Sequence, residues 1–105
     1  MEDCIFCKIA NKEIPSEILF ENDYVFAIKD INPIAPTHIL VITKTHIENL
    51  NTLEDEKLMI EIFKGIKTIC KKFGIKEYKT MINTGKSAGQ KVFHFHAHIL
   101  SEQTI

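Results

Sequence analysis

The sequence predicts an α+β fold, with a five-stranded, mainly antiparallel sheet and one long helix. Two observations lead to this prediction. Five short segments combine apolar and β-branched residues, and turn-forming residues separate them. One longer segment instead repeats its apolar residues at intervals of three and four, as an amphipathic helix does. Because the chain has only 105 residues, we expect both patterns to form a single domain over residues 1–105.

The predicted strands come in two groups, three before the helix and two after it. A turn at Asn22 and Asp23 joins the first two strands into a hairpin. The third strand is mostly apolar, which favours a central place in the sheet. The five segments are residues 18–21, 24–28, 36–42, 78–83 and 92–100.

The predicted helix follows Thr52, which has the residue type of an N-cap, and ends before Gly74, which suits the position just beyond a helix. Its apolar stripe extends over about five turns. The stripe consists of Leu58, Ile62, Ile66, Ile69 and Phe73. We expect the helix to cover one face of the sheet, so that the other face is left to carry a functional site.

The fifth predicted strand carries three histidines, His94, His96 and His98, at every second position. A strand turns successive side chains to opposite faces, so the three imidazoles share one face and the apolar residues between them share the other. A helix would separate the imidazoles, since residues two apart are not neighbours on a helix. We interpret the histidine face as a site for chemistry, rather than as a polar strand face that is rich in histidine by chance.

The composition argues against several classes of partner. The formal net charge of −1 does not favour a nucleic-acid-binding surface. No apolar run approaches the ~20 residues of a membrane span. The acidic start, Met1-Glu2-Asp3, has no signal-peptide pattern, so we expect a cytoplasmic protein.

Two cysteines, Cys4 and Cys7, form a C-x-x-C pair, a spacing at which two thiolates can bind one zinc ion. Zinc needs two more ligands, and His46 and His94 would complete a closed structural set of two sulfur and two nitrogen atoms. A redox-active pair would follow a strand, and none is predicted before Cys4. An incidental pair of cysteines remains an alternative.

With His94 bound to zinc, His96 would be free to act. A neutral imidazole attacks phosphorus when its other nitrogen holds the proton, and a backbone carbonyl that accepts this proton would fix the tautomer. Attack at the α-phosphate of a nucleotide would give a nucleotidyl-histidine. His38 and His98 could hydrogen-bond to the phosphate or the leaving group, and backbone N–H groups of the loop 84–90 could stabilise the phosphoryl oxygens.

Other interpretations are consistent with part of this pattern. Three histidines could hold a catalytic zinc that activates water, but three same-face positions on one flat strand span ~13 Å, too far for one ion. A zinc-stapled ligand-binding module would need the zinc ligands but not His96. Asp30, at a strand end, either caps a turn or accepts hydrogen bonds from a ribose diol.

The sequence resembles the histidine triad family of nucleotide hydrolases and transferases. The segment His94-Phe95-His96-Ala97-His98-Ile99-Leu100 matches the family motif of alternating histidines with apolar residues between and after them. Further matches are Cys4-Ile5-Phe6-Cys7-Lys8-Ile9, Ile14-Pro15-Ser16, Asp30-Ile31, Ala35-Pro36-Thr37-His38, Lys44-Thr45-His46-Ile47, Asn83 and Gly89-Gln90. Within the family, the chain looks most like the purine nucleoside phosphoramidate hydrolases, in their zinc-binding bacterial form.

The resemblance implies a role for each matching residue. His96 would be the nucleophile, and His38 and His98 would assist it. The nucleotide would also be bound by His96 and His98, with Asp30 at the ribose, Ile31 at the base, and Asn83, Gly89, Gln90 and Lys91 at the phosphate. Structural zinc would be held by Cys4, Cys7, His46 and His94, and two copies would form a homodimer through the helix and adjoining strands.

The resemblance also implies a purine nucleotide as the ligand, an AMP or GMP derivative whose P–N bond is cleaved to release the nucleoside monophosphate. The alternatives are cleavage of a P–O–P bond in a dinucleoside polyphosphate, nucleotidyl transfer, and nucleotide binding by a regulator without catalysis. Lys91 departs from this branch, which usually has serine at the position, and so leaves the preferred leaving group open.

Overall fold

Five strands and two α-helices make up the fold, together with 3₁₀ turns at Leu50–Thr52 and Lys86–Ala88. The computed structural model describes residues 3–105; Met1 and Glu2, from the acidic start noted above, lie outside the described residues. The strands are β1 (Phe20–Glu21), β2 (Val25–Lys29), β3 (Thr37–Thr43), β4 (Lys79–Met81) and β5 (His96–Ser101), and the helices are α1 (Ile5–Ala10) and α2 (Glu56–Lys72).

The strands form one sheet in the order β1-β2-β3-β5-β4, and every neighbouring pair is antiparallel. The predicted α+β fold is therefore confirmed. All seven residues of β3 are buried, as expected for a central strand that is mostly apolar. The hairpin turn also forms where it was predicted, because the side chain of Asn22 accepts the N–H groups of Tyr24 and Val25 at 2.8 and 2.9 Å.

Helix α2 covers one face of the sheet with its apolar stripe. Its N-cap is Asp55, whose carboxylate accepts the N–H of Leu58 at 3.1 Å, so the prediction of Thr52 as N-cap was wrong. Thr52 lies in the preceding 3₁₀ turn instead, paired with Asn49 in a capping box of its own. Gly74 follows the helix with φ +67°, in agreement with its predicted position. Within residues 3–105, no helix is long and apolar enough to cross a membrane.

The opposite face of the sheet is partly covered by α1, which the sequence did not predict because six residues are too few to show a helical period. Cys4 is its N-cap, and the thiol accepts the N–H of Cys7 at 3.4 Å. Phe6 and Ile9 are buried from this side against side chains of β2 and β3. The sheet thus separates two apolar clusters, a larger one under α2 and a smaller one under α1.

Strand β5 begins at His96, four residues later than predicted, and β4 ends at Met81. The chain bends before β5 because the N–H of Phe95 donates to the carbonyl of Ile47 at 2.6 Å, outside the β3–β5 ladder. His94 therefore precedes the strand. The prediction that all three histidines lie within one strand was wrong for His94.

Candidate active site and metal centre

A cavity of about 500 Å³ opens on the face of the sheet opposite α2. It is walled by α1, the loop after β2, strands β3 and β5, and the loop after β4. Its lining includes Phe6, Ile9, Asp30, Ile31, His38, Asn83, Gly89, Lys91, His96 and His98. The structure thus brings together every residue predicted for catalysis or nucleotide binding except Gln90.

The antiparallel register of β3 and β5 places the histidines. Leu40 lies opposite His98, and His38 lies opposite Leu100, so His38 and His98 are diagonal neighbours on the same face. Their ring nitrogens, Nε2 of His38 and Nδ1 of His98, are 2.8 Å apart. The Asp30 carboxylate comes within 3.4 Å of the same Nε2 atom. One residue of strand slip would turn these side chains to the opposite face.

The ring of His96 is held by main chain. Its Nδ1 atom lies 2.7 Å from the carbonyl oxygen of His94, a distance at which Nδ1–H donates to the carbonyl. The other nitrogen, Nε2, then carries a lone pair. Burial lowers the pKa of His96, more than the His94 carbonyl and Asp30 raise it, so the neutral ring is favoured. Phe6 packs edge-on against this ring, with centroids 5.1 Å apart.

The pair His38 and His98 is also neutral at pH 7. Burial, followed by the nearby His96 and His38, lowers the pKa of His98 to about 4, although the negative charge of Asp30 opposes the shift. Burial likewise lowers the pKa of His38, opposed by the negative charge of Asp30. The carboxylate of Asp30 and the uncharged rings of His38, His96 and His98 thus line one cavity.

A second cluster of polar side chains, separate from the cavity histidines, joins the start of α1 to the loop after β3 and to the segment before β5. The ligand atoms of Cys4, Cys7, His46 and His94 all lie within 4.8 Å of one another. Nδ1 of His94 is 3.2 Å from Sγ of Cys4 and 3.1 Å from Nδ1 of His46, and Sγ of Cys7 is 3.3 Å from Nδ1 of His46. Around a tetrahedral ion with zinc-like bond lengths, ligand atoms are roughly 3.3–3.8 Å apart. These four residues are therefore positioned to hold a metal ion.

The hydrogen bonds and pKa values of this cluster show which ligand atoms are free to bind a cation and which must first lose a proton. Nε2 of His94 donates to the carbonyl oxygen of Thr43 at 2.6 Å, which leaves a lone pair on Nδ1 facing the two thiols. Burial and the adjacent Cys4 raise the pKa of Cys7 to about 11, so a metal has to displace a proton to bind its sulfur. His94 thus serves both clusters, its ring in the metal set and its carbonyl on His96.

The loop after β4 differs from its prediction as an anion-binding nest. The N–H groups of Gly89 and Gln90 donate within the loop, to Lys86 at 3.0 Å and Gly85 at 3.1 Å. The Gln90 side chain is buried, with Oε1 accepting the Gly85 N–H and Nε2 donating to the carbonyls of Glu48 and Val92. Gln90 therefore fixes the loop from inside and has no donor left for phosphate.

Three contributors had no signal in the sequence. The carbonyl of Thr43 and the N–H of Ile34, which donates to Nδ1 of His38 at 3.2 Å, are main-chain groups, and every residue type except proline provides both. Phe6 lines the cavity through a helix too short to predict.

Comparison with known proteins gives a consistent result. The model of the HIT domain matches residues 11–105. Protein HitA of Neisseria gonorrhoeae is 45% identical over 103 residues, which are 95% of this chain and 96% of that protein. A histidine triad protein from Clostridium difficile superposes with a TM-score of 0.92 at 41% identity, over 100% of this chain and 95% of that one. A HIT family hydrolase from Clostridium thermocellum gives 0.89 at 43% identity, over 95% and 90%.

Proposed function

This chain belongs to the HIT domain family, and on that premise we propose that it hydrolyses nucleoside 5′-phosphoramidates through a nucleotidyl-histidine formed on His96. The observation that carries the proposal is the 2.7 Å contact between Nδ1 of His96 and the His94 carbonyl. It leaves the Nε2 lone pair of a neutral ring in the cavity, which is what nucleophilic attack on phosphorus requires. The hydrolase from Clostridium thermocellum, 43% identical, supports the reaction class.

The cavity offers a partner for each part of a nucleotide. Asp30 keeps oxygen lone pairs free to accept from a ribose diol, since its described partners are the Asn32 N–H on Oδ1 and His38 beside Oδ2. Apolar side chains, among them Ile31 and Phe6, provide surface for a purine base. Asn83, whose Nδ2 binds the carbonyl of Ala88, stands with the loop at the phosphate end.

We propose a reaction in two displacements. Nε2 of His96 forms a bond to the α-phosphorus as the P–N bond of the substrate breaks, and the leaving nitrogen takes the bonding pair and a proton from solvent. Nδ1–H, held by the His94 carbonyl, stays on the ring, which is then a cationic nucleotidyl-imidazolium. Water next attacks phosphorus, the P–Nε2 bond breaks, and a proton returns to solvent with release of the nucleoside monophosphate.

A second candidate reaction is cleavage of a P–O–P bond, and Lys91 favours it. Lys91 lines the cavity and forms no salt bridge with a carboxylate among residues 3–105. A free ammonium group suits a leaving group that carries negative charge, such as a second nucleotide. Substitution Lys91→Ser would then shift the ratio of kcat/KM values from dinucleoside polyphosphate towards phosphoramidate.

The metal set fits zinc, because two thiolates and two imidazoles are the donors of closed structural zinc sites. Bound there, zinc would hold Cys4 and Cys7 at the start of α1 against His46 and His94. Since α1 supplies Phe6 to the cavity wall, we propose a supporting role for the metal and no part in the chemical steps.

We also propose a homodimer. Ile60 and Phe63 are 53% and 59% exposed on the outer side of α2, three residues apart and therefore adjacent on the helix surface. Large apolar side chains that are exposed and adjacent on a helix favour burial against a second copy. Sedimentation of the protein alone, and of a Phe63→Glu variant, tests this.

Mixing the protein with adenosine 5′-phosphoramidate, quenching without acid and measuring peptide masses tests the proposed reaction. We expect an adenylyl adduct on His96 and release of AMP, and neither with His96→Ala. Release of AMP without any adduct at any quench time would favour direct attack by water. Binding of AMP without turnover of either substrate class would point to a nucleotide-binding regulator.

A further inference from the structure

The contact between His38 and His98 requires a bridging proton or metal. Nε2 of His38 and Nδ1 of His98 are 2.8 Å apart, and the His38 side chain is only 3% exposed. Two bare nitrogen lone pairs would repel one another at this distance, so one of the atoms carries hydrogen or both bind a cation. A neutral imidazole has a single N–H, and its position on each ring therefore matters.

The main chain settles where that hydrogen lies. The N–H of Ile34 points at Nδ1 of His38 from 3.2 Å, and an N–H can only donate. Nδ1 of His38 is therefore the acceptor, and the single proton of its neutral ring lies on Nε2. That N–H donates to Nδ1 of His98. The proton of neutral His98 must then be on its Nε2 atom.

We propose that the Ile34 amide acts as a positioning group that sets the tautomer of His98 through His38. His98 lines the cavity, and with Nδ1 occupied it has a single donor, Nε2–H, to offer the phosphate or the leaving group. The assignment of the ring protons to Nε2 of His38 and Nε2 of His98 does not depend on which reaction the protein catalyses. Its catalytic consequence rests on the proposed function.

The Asp30 carboxylate does not change the position of the proton on His38. Its Oδ2 atom is 3.4 Å from Nε2 of His38, farther than the 2.8 Å to His98, so it accepts at most a second and longer bond. The carboxylate and the His98 ring both accept. Either contact keeps the proton on Nε2 of His38.

A metal ion is the competing way to join these atoms. Asp30, His38 and His98 offer ligand atoms within 4.8 Å of one another, the same limit that the cysteine-containing cluster meets. A metal on Nε2 of His38 would move the ring proton to Nδ1, where it would face the Ile34 N–H, donor against donor. The hydrogen bond at Nδ1 therefore favours a proton over a metal in this cluster.

Long-range ¹H–¹⁵N correlation of the imidazole nitrogens in the zinc-loaded protein reads the tautomers directly. We expect protonated Nε2 and bare Nδ1 for both His38 and His98. A wild-type protein with the proton of His98 on Nδ1 would overturn the proposal. So would displacement of the His38 and His98 signals by zinc beyond the first equivalent, because that result would assign a second metal site.

The matched variants are Ile34→Pro, which removes the N–H, and Ile34→Ala, which keeps it. The Ile34 side chain is 70% exposed, so the pair differs mainly in the amide hydrogen. Relative to Ile34→Ala, we expect Ile34→Pro to show mixed tautomers of His38 and a fall in kcat on the order of tenfold or more, with a smaller change in KM.

Each outcome decides the proposal. Unchanged tautomers in a folded Ile34→Pro protein would overturn it, and mixed tautomers with unchanged kcat would overturn the catalytic role of the His98 N–H. If Ile34→Pro does not fold, the wild-type tautomers still decide. If the wild-type protein shows the expected tautomers but no turnover of any nucleotide, the proposed function fails and the tautomer assignment stands.

Discussion

Two pairs of histidines lie on either side of His96, and they resemble each other closely in geometry. His46 and His94 bring ring nitrogens to 3.1 Å, and His38 and His98 bring theirs to 2.8 Å. The pairs differ in what lies behind the rings. His94 has a carbonyl, from Thr43, at its outer nitrogen, whereas His38 has an amide, from Ile34.

That difference in main-chain partner gives the pairs different chemistry. A carbonyl draws the ring proton outward, so His94 turns a lone pair inward, where two thiols complete a metal set. An amide draws the lone pair outward, so His38 turns its proton inward, towards the ring of His98. Every histidine ring can either donate a hydrogen bond or bind a metal through a lone pair. The main-chain group at the outer nitrogen determines which of the two the inner nitrogen does.

We expect substitution of His96 to have the largest effect, because it removes the proposed nucleophile while the ring-to-ring contact within each pair does not involve His96. We expect His96→Ala to lower turnover on the order of a thousandfold or more. Metal content and affinity for AMP should stay close to wild type, measured by elemental analysis and calorimetry. Loss of the metal together with activity would show that the two pairs are not independent of the ring between them.

Next in size is removal of a metal ligand. We expect Cys7→Ala to lose the bound metal and to lower the free energy of unfolding by about 2–4 kcal/mol, since metal binding is coupled to folding. Denaturant unfolding with elemental analysis measures both. Cys70→Ala, a change to a buried cysteine outside the cluster, should keep one metal per chain. Equal metal content in the two variants would contradict the assigned ligand set.

Low pH should destabilise the fold through the pair of His38 and His98. The folded-state pKa of His98 is lowered from 6.5 to about 4, so protonation favours the unfolded chain. The stabilisation is present above pH 6.5 and is lost as the pH falls through about 4, worth roughly 2 kcal/mol over that window. Unfolding free energies of metal-loaded protein at pH 7 and pH 4.5 should show the loss. His98→Gln should reduce it, and an unchanged difference would sink this account of the pair.

The smallest effect is expected at Glu21, whose two ion pairs belong to neither cluster. Lys12 and Lys44 lie 2.8 and 2.7 Å from the carboxylate of Glu21 and lower its pKa to about 2. Its stabilisation is present above about pH 4.5 and lost as the pH falls towards 2. Since Glu21 is 36% exposed and solvent screens it, Glu21→Gln should cost less than about 1 kcal/mol. A larger loss would mean that a pKa shift at the surface contributes as much to the free energy of unfolding as a pKa shift inside the clusters.

The sequence predicted well which side chains come together in the site, because strand alternation and ligand spacing have a direct geometric meaning. Alternation placed His96 and His98 on one face, and the C-x-x-C spacing pointed to a metal set that the structure brings together. It could not place His94 before β5, because the bend depends on a hydrogen bond between Phe95 and Ile47, far apart in the chain.

The main-chain partners of His94 and His38 could not be predicted, since almost every residue type provides a carbonyl like that of Thr43 and an N–H like that of Ile34. Gln90 shows the opposite error. The family resemblance implied contact between Gln90 and phosphate, yet the side chain is long enough to turn inward and donate to the carbonyl of Glu48. Residue type and spacing predict which groups gather, and only the fold determines which way each one points.

The pairing of β3 with β5 has a consequence for how the protein acquires activity. His38 and His98 are 60 positions apart along the chain, with the whole of α2 between them, and Cys4 and His94 are 90 apart. Contacts over such distances require closure of a long loop and form slowly, whereas a helix can form from local contacts. During refolding, recovery of activity should therefore lag behind recovery of helical signal. On the ribosome, β5 emerges after every other strand, and a nascent chain that ends before β5 lacks both His96 and His98.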